Sequence, residues 1–443
     1  MERDNYTFLT TGPVRKVILT LSGPAIVSML ATSIHSLVST FYVGRISTQA
    51  TAAVGVSFAL MSVIQAIGFL FGQGSGNFLS RALGAKKKDE AYRMASTGFF
   101  GAVACSLVLA LLGLIFITPL ARLLGSTPTI LPDTRRYLLW VLLGMPVMTG
   151  TMALNNQLRF QGSAQFAMYG VLAGAFVNIA LSPVYIFVLG LGVTGAGMGV
   201  FSGQLVSLLV MLWGTGRAGN IPVKLRLCTP NKFYINEILA GGTPSLTRQG
   251  LASISVALLN VAAGAYGDAA IAGMSIVGRV TFLIMAAVIG LGHGYQPLCG
   301  FSYGAGLYDR VKQGFWFVVK VGFAFLAVCS VFGIVFAEPL VRMFRDDMQV
   351  VEVGASALRW QMATLPLGSF IMYTNMMMQT IRRPLQANLL AASRNGVFFI
   401  PLILLLPHWF GLLGVEMCQT WADVLSFILA VVIAVQGFRG LKK

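Results

Sequence analysis

Long apolar runs dominate this chain, and Gly, Pro or charged residues close each of them off. A membrane-spanning helix needs about 20 mostly apolar residues. On that measure twelve spans are predicted, at roughly 15–40, 52–80, 93–119, 134–159, 164–189, 193–216, 234–262, 267–300, 310–337, 350–380, 385–407 and 413–437. Gly84-Ala85-Lys86-Lys87-Lys88 and Arg382-Arg383-Pro384 are typical breaks between them. The longest polar stretch between spans is Arg217 to Lys232. It divides the chain into residues 1–216, a linker 217–232 and residues 233–443. The fold class is all-α and polytopic.

The pattern also repeats. Pro24, Gly72, Gly74, Gly84-Ala85, Asp89 and Pro119-Leu120-x-Arg122 recur 220 positions later as Pro244, Gly292, Gly294, Gly304-Ala305, Asp309 and Pro339-Leu340-x-Arg342. Pro146 and Asn155 meet Pro366 and Asn375 at the same offset. A constant offset means two copies of one unit. Six spans per copy is an even number, so both copies enter from the same side. The expected architecture is two parallel six-helix repeats about an axis along the membrane normal, with a transport path between them.

Composition sharpens this into a class. Hydrophobic residues make up 56% of the 443 and charged residues 10%, with a mean hydropathy of +0.79. A soluble domain carries about 25% charged residues, so a water-covered globule is excluded. The net charge of +17 would suggest nucleic acid in a soluble protein. Here most basic residues fall on one side of the predicted spans. They include Arg3, Arg15 and Lys16 in the first tail, Arg81 to Arg93, the linker, Arg310, Lys312, Arg382, Arg383, and Arg439, Lys442 and Lys443. Loops on the other side hold Arg45, Arg122, Arg135, Arg136, Arg342 and Arg345. That is a positive-inside bias, predicting a multi-pass cell-membrane protein with both termini cytoplasmic and no nucleic-acid partner. A monomer is expected.

Several other signals carry no chemistry. The five cysteines share no spacing and read as packing. The first apolar run is too long for a cleaved signal and lacks a cleavage-type ending. Asn5-Tyr6-Thr7 fits a glycosylation pattern but sits on the predicted cytoplasmic side. Gly72-Gln73-Gly74-Ser75-Gly76 interrupts a span and follows no strand, so it is helix packing or a hinge, not a nucleotide loop. The absence of a Walker motif, of clustered aspartates and of paired zinc histidines argues against an ATP-driven pump and an intramembrane enzyme, and no filter sequence suggests a channel. Met376-Met377-Met378 reads as packing. No metal site or cofactor is expected.

Charges inside a membrane are costly, about 2.5–3.5 kcal/mol or more at the centre, so each marks a function or a paired structural group. The first half has no embedded carboxylate. Its acids, Glu2, Asp4, Asp89, Glu90 and Asp133, lie in tails or loops, and its deep titratable group is His35. Thr32, His35, Ser36 and Ser39 recur on one helical face, and Asn178, Ser182 and Tyr185 form a second stripe. Facing each other, the stripes would make a wet neutral pocket. The plainer reading is that the hydroxyls bond their own backbone and His35 bonds a neighbouring helix. The second half embeds Arg248, Arg279, Lys320, Arg359 and Arg394, against one carboxylate well inside a span, Asp423. At 1.5 Å per residue, Arg394 and Asp423 both reach the middle third on neighbouring antiparallel helices, so they are expected to pair. The pair either satisfies two buried charges or forms a protonation site released during transport. Arg248, Gln249, Asn260, Arg279 and Arg359 are cavity candidates, and their positive surplus leaves anionic or zwitterionic cargo open.

The motifs also resemble a family. Val43-Gly44-Arg45, Gly72-Gln73-Gly74 leading to Ser80-Arg81 and Gly84, Asn155-Asn156 with Arg159, and Asn178 to Ser182-Pro183 carry the likeness in the first half. Arg248-Gln249-Gly250, Gly294 with Gln296-Pro297, Gly304-Ala305, Ser393-Arg394 and Gln419 with Asp423 carry it in the second. In order and spacing they are similar to the multidrug and toxic compound extrusion (MATE) family, in its MepA-like branch. The resemblance implies a secondary antiporter that exports small amphipathic compounds by alternating access, driven by protons or, alternatively, sodium. A flippase or exporter of lipid-linked or anionic compounds from the same superfamily is the second reading. The family's aspartates are replaced here by Ser39 and Ser182, and a threonine by Val200, while Asn178 is kept. His35 is therefore a candidate to carry the proton an aspartate carries in relatives, beside Asp423 and Arg394.

Overall fold

The computed structural model describes residues 5–217 and 219–441; Glu2, Arg3, Asp4, Lys442 and Lys443 lie outside them. Every regular element among the described residues is helical. The first half holds a short α1 (Asn5–Thr11), then α2 (Val14–Gly44), α3 (Thr48–Gly84), α4 (Lys88–Ile115), the short α5 (Ile117–Leu123), α6 (Leu131–Phe160), α7 (Ala164–Pro183) and α8 (Gly192–Thr215). The second holds α9 (Lys232–Gly264), α10 (Asp268–Gly304), α11 (Tyr308–Val335), the short α12 (Ala337–Phe344), α13 (Met348–Thr364), α14 (Leu367–Thr380), α15 (Pro384–Ala392), α16 (Phe399–Phe410) and α17 (Leu412–Gly440).

The helix starts repeat with the sequence. Residues 48 and 268, 88 and 308, 117 and 337, 164 and 384, and 192 and 412 open corresponding helices, each 220 apart. Left-handed backbone recurs too. Lys86 (φ 60°) answers to Gly306 (φ 75°), and Gly162 (φ 85°) to Arg382 (φ 61°). One copy supplies glycine and the other a charged residue at a position where a Cβ is disfavoured.

Among the described residues, ten helices are long and apolar enough to cross a membrane. The remaining two of the twelve-helix, two-repeat fold are α9, which carries Glu237, Arg248 and Gln249, and a span in two pieces. The expected single span at 350–380 is broken at Pro366 into α13 and α14, because proline supplies no N–H for the ladder. Its repeat counterpart Pro146 stays inside the continuous α6. The spans expected to reach 119 and 337 stop at Ile115 and Val335, and the repeated Pro-Leu-x-Arg strings form the short helices α5 and α12 instead. The span expected at 385–407 widens at Ser393–Val397 into a π-helical turn.

Large apolar side chains such as Leu111 and Ile115 on α4 and Val328, Val331 and Val335 on α11 point outward. Only a lipid solvent makes that surface favourable. Inside, glycines bring the halves into contact at one end. A Cβ on Gly84 would lie 2.2 Å from the Phe301 carbonyl oxygen, and one on Gly304 would lie 2.1 Å from that of Arg81. These repeat-related glycines clasp the last turns of α3 and α10. Towards the other end, Gly44, Gly55, Gly250 and Gly278 have open space where a Cβ would sit.

Candidate functional site

The clasped end is held by charge as well as by backbone contact. Arg81, on the last turn of α3, donates to Glu237 Oε2 on α9 at 2.9 Å and to the Thr380 carbonyl at 2.8 Å. Arg382 reaches the other oxygen of Glu237 at 2.5 Å. Glu237 is 4% exposed, so both arginines neutralise a nearly dry carboxylate. Thr380 Oγ1 donates to Asn77 Oδ1 at 2.8 Å, again across the halves. The linker is fastened to the same end: Ile221 N donates to Gln161 Oε1, Lys224 N to Ser96 Oγ and Thr229 N to Thr97 Oγ1.

Deeper in, a chain of neutral amides crosses between the halves. Arg159 donates to Asn156 Oδ1 (2.6 Å), Gln73 donates to the same oxygen (2.9 Å), and Gln296 donates to Gln73 Oε1 (3.4 Å). His293 Nδ1 lies 3.3 Å from Gln296 Oε1. Arg248, half-buried on α9, donates to Asn375 Oδ1 at 3.2 Å and lies 3.5 Å from Ser245 Oγ. Gln249 bonds Gln65 of the first half at 3.3 Å, the outermost of the cross-half hydrogen bonds among the described residues.

The second half contains the expected ion pair. Arg394 Nε donates to Asp423 Oδ1 at 2.7 Å and its Nη2 to Oδ2 at 3.2 Å, while Gln419 adds a bond of 2.8 Å to Oδ1. Asp423 is fully buried. A bidentate fork of this kind is the strong form of a carboxylate–guanidinium contact. Arg394 sits in the π-helical turn, whose Asn395 carbonyl accepts from Ser255 Oγ on α9. At the 220-residue offset the pair corresponds to Gly174 and Gly203. There the helices touch by backbone, and a Cβ on Gly203 would come within 2.7 Å of the Gly174 carbonyl oxygen.

In the first half the two polar stripes do meet. Ser39 Oγ on α2 and Ser182 Oγ on α7 both donate to Asn178 Oδ1, at 3.1 and 3.4 Å, and His35 lies beside Asn178. Asn178 Nδ2 has no partner. Tyr185 OH lies 3.5 Å from Ser202 Oγ on α8. Thr32, by contrast, turns back to its own helix at the Ser28 carbonyl.

Other candidates stand apart. Arg359 pairs with Glu338 of α12 at 2.9 Å, both about half exposed, rather than with the central groups. Arg279 is exposed, and Asn260 is half-buried on α9. Lys320 is exposed on α11, in keeping with a snorkelling role.

Two buried carboxylates escaped the residue-by-residue reading, Glu237 and Glu416, the latter hydrogen-bonded by Ser356. Both lie near helix ends, where sequence position suggests solvent. Gln73 and His293 were also passed over. Their signal was the repeat itself: Gly72-x-Gly74 and Gly292-x-Gly294 each carry one polar residue between glycines. Among the described residues no group of three or more His, Cys, Asp or Glu could hold a metal.

A family model described as MatE matches residues 24–184 and again 244–405, once in each repeat. The chain belongs to the MatE family. It is therefore a multi-pass membrane transporter and not an enzyme. Within the MatE family it is 26% identical to the multidrug export protein MepA of Staphylococcus aureus (strain N315) over 439 residues, covering 98% of this chain and 96% of that one. A crystal structure of a MATE in complex with MaL6 superposes with a TM-score of 0.92 at 24% identity, covering 99% of both chains. A MOP superfamily transporter from Pyrococcus furiosus Vc1 (DSM3638) reaches 0.89 at 25% identity, covering 100% of this chain and 99% of that one. Its structure is described as having a "reverse polarity of binding pocket" that "suggests different function".

Proposed function

We propose that this MatE protein is a secondary antiporter that exports small amphipathic organic molecules by alternating access. Residues 1–216 and 233–443 are the moving halves and 217–232 the strap between them. The clasped end faces the cytoplasm, with both termini, because Lys86 to Lys88, Arg217 and Arg383 gather there. The observation carrying this reading is the one-sided interface. Glycine contacts and the Arg81–Glu237 pair close one end, while beyond Gln249–Gln65 the described residues make no hydrogen bond between the halves towards the other. Such a shape is one of the two states that rocking halves exchange. MepA, a relative across nearly the whole chain, exports multiple drugs by its name.

Coupling to a proton, with sodium as the alternative, is assigned to Asp423. Its carboxylate is buried and bidentate, so releasing Arg394 would leave a charge that must take up a cation. His35 is the second candidate, beside the neutral Ser39–Asn178–Ser182 cluster. The test is transport of ethidium, a cation, and of carboxyfluorescein, an anion, in proteoliposomes under separate proton and sodium gradients, for wild type, Asp423→Asn and His35→Ala. Asp423→Asn should abolish gradient-driven uptake while facilitated exchange persists. If both variants respond to gradients like wild type, coupling lies elsewhere.

A further inference from the structure

We propose that Arg159 and Arg248, with His293 as a hydrogen-bonding ring beside them, form a cationic cup that binds an anionic group (carboxylate, sulfonate or phosphate) on the compound this transporter carries. The proposal rests on the transport reading above and names its substrate class. Two other arginines of the interior have an acid, Arg81 with Glu237 and Arg394 with Asp423, while the half-buried Arg310 and Arg383 at the helix ends meet backbone carbonyls. Arg159 and Arg248 have none. Their partners are the neutral oxygens of Asn156, Asn375 and Ser245. Arg159 is 7% exposed and its Nε has no partner at all. His293 is 6% exposed and lies within electrostatic reach of both arginines. A buried cation without a counter-ion is unfavourable, and a site that concentrates such groups awaits one.

The carboxylates point the same way. Asp423 is taken up by Arg394 and Gln419, Glu237 by Arg81 and Arg382, and Glu416 by Ser356. Among the described residues, Glu416 is the one buried carboxylate without a cationic partner, and it lies four residues into α17, outside the network that joins Arg159, Gln73 and His293. The cup also spans the halves. Arg159 belongs to the first and His293 to the second, joined through Asn156, Gln73 and Gln296, while Arg248, also of the second, is held by Asn375 and Ser245. An anion held there would touch both halves at once, so its charge would be compensated only while they are together. Arg248 is half-buried and is the least enclosed of the three.

The experiment is binding, so it does not depend on the coupling assignment. The full chain in detergent is titrated against carboxyfluorescein, an anion, and rhodamine 6G, a cation of similar size, by fluorescence polarisation. Carboxyfluorescein should bind, and Arg248→Gln should weaken it by about tenfold or more, the scale of one lost charge-assisted hydrogen bond. Arg248→Lys should retain most of the affinity, and neither variant should weaken rhodamine. Arg159→Gln and His293→Asn, checked for folding by thermal unfolding, should follow Arg248→Gln. In nanodiscs, phosphatidylglycerol that displaces the dye against a phosphatidylcholine control identifies a lipid headgroup as the anion. No displacement identifies a soluble one. Binding of rhodamine without carboxyfluorescein, or carboxyfluorescein affinity unchanged in the variants, overturns the cup. Failure of gradient-driven transport with anion binding intact would overturn only the antiport reading.

Discussion

Arg81 of the first half and Glu237 of the second meet at 2.9 Å where the last turns of α3 and α10 clasp, and Arg382 closes on the same carboxylate. Two cations thus depend on one nearly dry acid. Removing its charge leaves them facing each other at the contact that keeps this end shut. Glu237→Gln should therefore shift the population towards opening at this end. Amide hydrogen exchange should rise in the last turns of α3 and α10 and in residues 221–229, which are stapled to the same surface. Exchange identical to wild type would mean that the glycine contacts alone hold the closure.

The Arg394–Asp423 fork separates a structural from a functional requirement. Arg394→Ala strands a fully buried carboxylate and should destabilise the protein by roughly 3–5 kcal/mol, whereas replacing both partners with apolar residues of similar size is often neutral. The double variant Arg394→Met, Asp423→Leu should therefore unfold in detergent near the wild-type temperature. Under the proposed coupling it should also lose gradient-driven transport. A stable double variant that still couples would reduce the pair to charge compensation.

What was legible beforehand follows from which forces act locally. Apolar length and the 220-residue offset placed nearly every helix, because the lipid requirement and the repeat both act on the sequence directly. The Arg394–Asp423 contact was readable because two embedded charges at similar depth have few alternatives. Helical spacing put Ser39 on one stripe and Asn178 and Ser182 on another, but not that the two faces meet, which only the packing of α2 on α7 decides. Not readable was the division of Arg279, Arg359 and Arg248, which look alike in sequence. Their surroundings differ only through tertiary neighbours: Glu338 beside Arg359, exposure for Arg279, and neutral amide and hydroxyl groups for Arg248. The break at Pro366 was hidden because its counterpart Pro146 lies in an unbroken helix. Glu237 was hidden because its partners come from residues 81 and 382, far away in sequence.

The left-handed positions give a stabilising prediction. Lys86 holds φ 60° where the other copy has Gly306. A non-glycine residue in that region costs roughly 1–2 kcal/mol, partly offset by the extra freedom glycine gains when unfolded. Lys86→Gly should raise stability by about 0.5–1 kcal/mol, read as a higher midpoint of thermal unfolding. The matching change Arg382→Gly should not help, because it also removes one of the two cations on Glu237.

Gly304 offers the sharpest test of the clasp, because the obstacle is backbone. A Cβ there would lie 2.1 Å from the Arg81 carbonyl oxygen and 3.0 Å from the Ala85 nitrogen, and neither can rotate away. The copy-related Gly84 meets the Phe301 carbonyl in the same manner. Helices α3 and α10 would have to separate to admit even a methyl group, and the Arg81–Glu237 contact sits on the turn that moves. Gly304→Ala should therefore reproduce the opening expected of Glu237→Gln without altering any charge, and Gly304→Val should exaggerate it. The two single changes act on one contact, so the double variant should open little further than either alone, a non-additivity expected of neighbours. Hydrogen exchange in the last turn of α10 reads this directly. Additive opening in the double variant would show that the glycine clasp and the ion pair are independent restraints.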